Sequence, residues 1–293
     1  MSSESVECPH EMPSQSLNPR ESFVCAVSVP EQEIDLATAS LWIAAEEYPD
    51  LDTIAYLGKI ALLAARVKSK VRRARSVYDA VHVINALLFE TEGLRGNRSE
   101  YYDARNSYIS DVLDRKLGIP IALSVIYMEV ARRAGLKLRG IGLPGHFVLQ
   151  AGEGQSEIYV DPFDSGGLLT RRECITLVRT SAGASVEAER FLEPYTNRSI
   201  LRRALTNLKV IYLKQNDQSR ALAAAERVRI VAPGLWENLA DLARIHARLG
   251  HFEAAAQSLA EYVDLAPDSH DLASARETLR QLRHMARGPG EAT

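Results

Sequence analysis

The sequence predicts an α+β core with helices ahead of it and an all-helical region behind it. Three observations carry this. Residues 35–95 place apolar side chains at helical spacing, and residues 138–161 hold three short strand-forming runs bounded by Gly and Pro. Past Asn197 the strand signals vanish and a helical pattern repeats. Helices followed by strands, without strict alternation, point to α+β. At 293 residues and 46% hydrophobic content, the chain can bury a sizeable core.

Residues 1–30 mix Ser, Pro, Glu and Asn without period and are expected to form a disordered head. A first helix starts at Asp35 and stops at Tyr48-Pro49. "TIAYLGKIALLAARVKS" and "VYDAVHVINALLFETEG" repeat the signature, the second ending at Gly93. Residues 93–118 are turn-rich, dense in aromatic, Asn and Asp residues. "IPIALSVIYMEVARRAGL" is a helix with Pro120 in its first turn, where a missing N–H costs nothing, and Gly135 at its end. It is apolar almost all round, which predicts a buried central helix. "LRGIGL", "HFVLQ" and "EIYVD" follow as strands.

Residues 207–233 are echoed by 241–267 at a spacing of 34, with Leu208 matching Leu242, Ala221 matching Ala255, and an Ala-Pro pair closing each. That period looks like tetratricopeptide repeats. About two are visible, with a capping helix expected over 268–285. Two alone are marginal, so they are expected to pack on the first domain. The expected division is a head (1–30), a core with its N-terminal helices (31–196), repeats (197–287) and a tail (288–293).

Charge and composition exclude several function classes. A net charge of −3 and pI near 6.2 offer no case for nucleic acid or membrane as partner. The basic run 66–76 is a solvated helix face or linker. Cys8, Cys25 and Cys174 have no metal-ligand spacing, and His10, His82, His246, His251, His270 and His284 form no cluster, so no metal and no cofactor are expected. No stretch approaches the roughly 20 apolar residues of a membrane span. The head lacks the layout of a signal peptide, and the expected location is the cytoplasm. "GIGLPG" satisfies G-x-G-x-x-G, but a strand follows where a helix is needed, so dinucleotide binding is rejected.

The chemistry concentrates at "GLPGHFVLQ" (142–150) and "YVDPFDSGG" (159–167). Pairing these strands around "GEGQ" sets Gln150 opposite Glu157, Val148 opposite Tyr159 and His146 opposite Asp161. Such residues share a face, and a carboxylate there can hold an imidazole's tautomer and stabilise its cation. The plain alternative is a cross-strand contact that pins the hairpin. Asp103, Asn106 and Ser107 in "YYDARNSY" either cap turns or line the same cleft as His146. Gly166-Gly167 is expected to turn the chain and clear space beside Asp161.

Taken together, the "NSY", "GIPI", "LPGHF" and "DPF" blocks resemble the bacterial transglutaminase-like family with tetratricopeptide repeats behind the core, a module also present in an F-box protein. The resemblance implies a papain/transglutaminase-like core, with the nucleophile at the start of the central helix, the base on one strand and the acid on the next. By that match His146 is the catalytic base and Asp161 the acid. Active members begin the helix with a cysteine. Here that position falls at about Pro120, and no Cys occurs in 118–136. Ser124, one turn deeper, is a weak candidate expected to be a buried hydroxyl bonded to a carbonyl, and Cys174 a weaker one.

Three functions compete. One is a non-catalytic module binding a peptide or protein partner through the cleft, with the repeats as a second docking surface. A second is a hydrolase or acyltransferase using His146 and Asp161 with an atypical nucleophile. The third is a structural scaffold.

Overall fold

A computed structural model describes residues 18–267 and 272–287. Cys8, His10, His270, the first 17 residues of the expected head and the tail 288–293 lie outside the described residues. From Asn18 on, the expected disordered head is corrected. Helix α1 (Pro19–Val27) opens with a capping box in which the Asn18 and Glu21 side chains each accept the other's backbone N–H, with Pro19 at the first helical position. Phe23 and Val27, one turn apart, are buried. A single buried turn is too short for hydrophobic periodicity to register.

Helices α2 (Leu36–Glu47) and α3 (Thr53–Arg72) are capped by Asp35 and Asp52, whose carboxylates accept the N–H groups of Thr38 and Ala55. Helix α4 (Val77–Asn85) is capped by Ser76. The expected single helix over 77–93 is corrected: after Asn85 the ladder widens into a π-helical turn, Ala86–Thr91. Asn85 stands at that change, accepting the Tyr127 hydroxyl at 2.9 Å and donating to the Gly166 carbonyl at 2.8 Å.

The turn-rich segment contains a parallel pairing of β1 (Arg95–Gly96) with β2 (Leu117–Gly118), and between them α5 (Ile109–Arg115). Helix α6 (Pro120–Ala134) is buried except at Met128, Arg132 and Arg133. Its one buried acid, Glu129, accepts Arg132 at 2.7 Å and Arg133 at 3.2 Å. A four-stranded antiparallel meander follows: β3 (Leu138–Leu143), β4 (His146–Ala151), β5 (Ile158–Asp161) and β6 (Gly167–Leu169). Pro144-Gly145 turns β3 into β4 with Gly145 at φ 72°, the left-handed position of a type II turn. One face of the sheet, through Phe147, Leu149 and Val160, joins the core around α6. The other, through Val148 and Tyr159, packs on Cys174 and Val178 of α7 (Arg171–Ala182).

The repeat region is helical throughout: α8 (Asn197–Lys214), α9 (Gln218–Val231), α10 (Trp236–Arg248), α11 (Phe252–Leu265) and α12 (Leu272–Arg287). It is not a separate body. One apolar cluster runs from Phe23 through α6 and the sheet to Val228 and Ile245. Polar contacts reinforce the join. The Tyr108 and Tyr212 hydroxyls share a hydrogen bond of 2.6 Å. Arg20 bridges Glu46 at 2.7 Å and Glu226 at 2.8 Å, Arg220 reaches Glu47 at 2.7 Å, and the buried Arg227 pairs with Glu46. Two repeats are too few to stand as an array, and the core supplies the missing neighbour.

Burial alone would raise the Glu46 carboxyl, but the Arg20 and Arg227 guanidinium groups outweigh it and hold it below its ordinary range. A depressed carboxyl adds stability above its unfolded value and loses it as pH falls through the folded value. Urea unfolding should therefore show a stability that falls below about pH 4.3. Glu46→Gln should cost about 3 kcal/mol at neutral pH, by stranding the Arg227 charge, and should flatten the acid dependence.

Candidate functional site

The His146 Nε2 lies 2.7 Å from Asp161 Oδ2, with the two side chains 20% and 11% exposed. The other carboxylate oxygen, Oδ1, accepts the backbone N–H groups of Phe163 at 3.0 Å and Asp164 at 3.2 Å. Asp161 thus caps the turn that follows β5 while holding the imidazole. Its own carbonyl accepts the Gly166 N–H at 2.8 Å.

The strand register differs from the expected one by two residues. Leu149 faces Val160, Gln150 faces Tyr159 and Ala151 faces Ile158, so the connecting loop spans 152–157 rather than 152–155. A shift of two keeps each side chain on its face. His146 and Asp161 are consequently diagonal neighbours, a separation that long side chains still bridge.

The turn that follows Asp161, Pro162–Asp164, packs against α6 and β1. Phe163, two residues past Asp161, packs edge-on to His146 with centroids 6.1 Å apart. A Cβ on Gly96 would come within 2.5 Å of the Phe163 carbonyl and ring, so β1 approaches this turn as only glycine allows. Strand β1 pairs with β2, which runs directly into Pro120. Gly166 lies at φ 80°, and a Cβ there would meet Asn85 at 2.5 Å. The space cleared by the Gly166-Gly167 turn is therefore taken by α4 rather than left beside Asp161.

Asn106 is fully buried, not cleft-lining. Its amide nitrogen donates to the Glu100 carbonyl at 2.7 Å, its Oδ1 accepts Asn97 Nδ2 at 3.1 Å, and its carbonyl accepts the Ile119 N–H at 3.0 Å. It braces the start of α6. Asp103 caps the adjacent turn and pairs with Arg105 at 2.9 Å and Arg115 at 3.1 Å. Burial would raise its carboxyl, but the Arg105 hydrogen bonds prevail and hold it low. The Ser107 Oγ is buried. Pro120 occupies the first helical position, capped by no side chain. Asn97, Tyr101 and Phe163 escaped the sequence reading; the "DPF" triplet was the one signal for the last.

Neither candidate nucleophile is placed to attack. Ser124 is wholly buried, and its Oγ lacks a hydrogen-bond partner among the described residues, which corrects the expected bond to a carbonyl. Cys174 is wholly buried under the sheet, and burial pushes its thiol up to about 12.

The family profile described as transglutaminase-like superfamily matches residues 54–206, just over half of the chain, and a tetratricopeptide repeat profile matches 208–280. The chain belongs to the transglutaminase-like superfamily. A UPF0162 protein of Xylella fastidiosa strain 9a5c is 35% identical over 87% of this chain and 92% of that protein. F-box only protein 21 of Mus musculus is 41% identical over 34% of this chain and 17% of its own length. The UPF0162 protein YchA of Escherichia coli K12 is 22% identical over 81% of this chain and 88% of its own. No solved structure matches the sequence. The transglutaminase-like profile spans the His146–Asp161 pair and both helices flanking it in sequence, α6 and α7.

Removing an unsatisfied buried hydroxyl is expected to be neutral or stabilising by about 1 kcal/mol. Ser124→Ala should therefore leave thermal unfolding unchanged or raise its midpoint. In peptide mapping after iodoacetamide at neutral pH, the Cys174 peptide should stay unmodified in the folded chain and react fully in urea.

Proposed function

We propose that this transglutaminase-like chain is a non-catalytic module that binds a peptide or protein segment in the cleft beside His146, with the tetratricopeptide repeats as a second docking surface. The observation that carries the reading is the missing attacking group. By the family resemblance the thiol position falls at about Pro120, and the Ser124 hydroxyl and the Cys174 thiol are wholly buried. Aromatic rings line up from the imidazole, with Phe163 against His146 and Tyr101 against Phe163. Such walls suit a segment that brings apolar side chains and a backbone needing hydrogen bonds. No described helix is long and apolar enough to cross a membrane, and the reading places the chain in the cytoplasm.

The intact 2.7 Å contact between His146 and Asp161 favours a second reading, a hydrolase in which the imidazole activates a water. Purified chain and its His146→Ala variant, assayed side by side on amide hydrolysis, acyl transfer and peptide-array binding, separate the two. The expected result is no turnover by either protein and array signals that drop about tenfold in the variant. Turnover by the wild type that vanishes in the variant establishes the hydrolase instead.

A further inference from the structure

Two features have no part in the His146 cleft: the basic run 66–76 on the last turns of α3, and the π-helical turn Ala86–Thr91. They meet. A groove of about 420 Å³ runs between α3 and the chain from His82 to Thr91. Its rim carries Arg66, Lys70, His82 and Thr91, all exposed, and its floor carries Val67 and Leu87, both buried. No carboxylate lines it.

The π turn shapes one wall. In an α-helix, Ala86 and Thr91 would stand about 140° apart around the axis. A π ladder instead bonds residues five apart, which sets the two on one face. The Thr91 hydroxyl accordingly donates to the Ala86 carbonyl at 3.0 Å, and both residues line the groove. Such widened turns are rare and gather at functional sites.

The charge is one-sided. On α3 the ion pairs among the described residues are those of Lys59 with Asp114 and Arg66 with Glu92. Glu92 is shared with Lys116 at 3.4 Å, so one carboxylate stands between two cations. Lys70 is left uncommitted, and the exposed Lys68, Arg72 and Arg75 add to the positive potential around it. His82 offers a ring N–H whether neutral or charged. Edge-on to that ring, with centroids 4.2 Å apart, lies Tyr78, 51% exposed.

We propose that this groove binds a small molecule in which a phosphate group is joined to a planar apolar body, a nucleoside diphosphate being the plainest example. The phosphate oxygens would take Lys70 and His82, in the field of Arg66. The planar body would cover Val67 and Leu87 and meet the Tyr78 ring. The volume is that of a small-molecule site rather than of a track for a chain. The site shares no residue with the His146 cleft and stands independently of the reading proposed for it.

Isothermal titration calorimetry on the full chain tests this with ADP, adenosine and inorganic pyrophosphate, and fluorescein-labelled oligo-dT is followed by anisotropy. ADP should bind, with adenosine and pyrophosphate each at least about tenfold weaker, because each keeps one half of the recognition. The double variant Lys70→Ala/His82→Ala should lose about tenfold in ADP affinity. Both side chains are exposed, so its thermal midpoint should match the wild type, which shows that the loss is not unfolding. Absence of ADP binding, or ADP affinity that the double variant leaves unchanged, overturns the proposal. Pyrophosphate binding as tightly as ADP does so too, as does oligo-dT binding more tightly.

Discussion

A helix that is apolar on almost every face has to be covered on almost every face, and α6 imposes that condition on the whole molecule. Helices α2, α3, α4 and α5, strands β3 and β4, and helix α8 of the repeat region all pack against it. Its buried Ile121, Leu123, Val125, Ile126 and Val130 are each worth about 1.5–3 kcal/mol of transfer free energy. Baring a flank with three of them would consume a large part of the roughly 5–15 kcal/mol by which domains are stable. Because α8 is part of that coat, the repeats cannot leave without opening the core. This explains why one apolar cluster crosses from Phe23 to Ile245.

The same condition dictates where chemistry can sit. A sheathed helix meets polar groups at its ends. At the C-terminal end Glu129 is already matched by Arg132 and Arg133. At the N-terminal end the backbone is held by the Asn106 carbonyl, and Pro120 contributes no N–H. The His146–Asp161 pair lies on the sheet, joined side chain to side chain. Its geometry rests on a carboxylate used twice: one oxygen ties down the Phe163 and Asp164 amides and the other takes the imidazole. The turn after β5 and the orientation of the ring are therefore fixed by one side chain.

Wherever an element spans several turns or alternations, the sequence displays it. Helices α2, α3, α6 and α8–α11 and strands β3–β5 were legible from spacing, caps and bounding Gly and Pro. What escaped was short or determined at a distance. Helix α1 buries Phe23 and Val27 on a single turn, β6 is three residues long, and the β1–β2 pairing is two residues from each strand. The π-helical turn after Asn85 carries no local signature, since Asn85 is held by Tyr127 and Gly166, far away in sequence. At the site, the face shared by His146 and Asp161 was legible because parity survives a register shift of two. The fate of Asn106 was not: an amide that lines a cleft and one spent beneath it look the same in sequence.

The His146–Asp161 contact is not in itself an argument for catalysis. An imidazole whose Nε2 is bonded to a carboxylate is restricted in rotation and, when neutral, in tautomer. Phe163 lies edge-on to the ring. Covalent catalysis requires beyond this a group that attacks, and Pro120 can supply neither a nucleophilic atom nor an N–H. The pair that would orient a base for chemistry is equally suited to orient an acceptor for recognition.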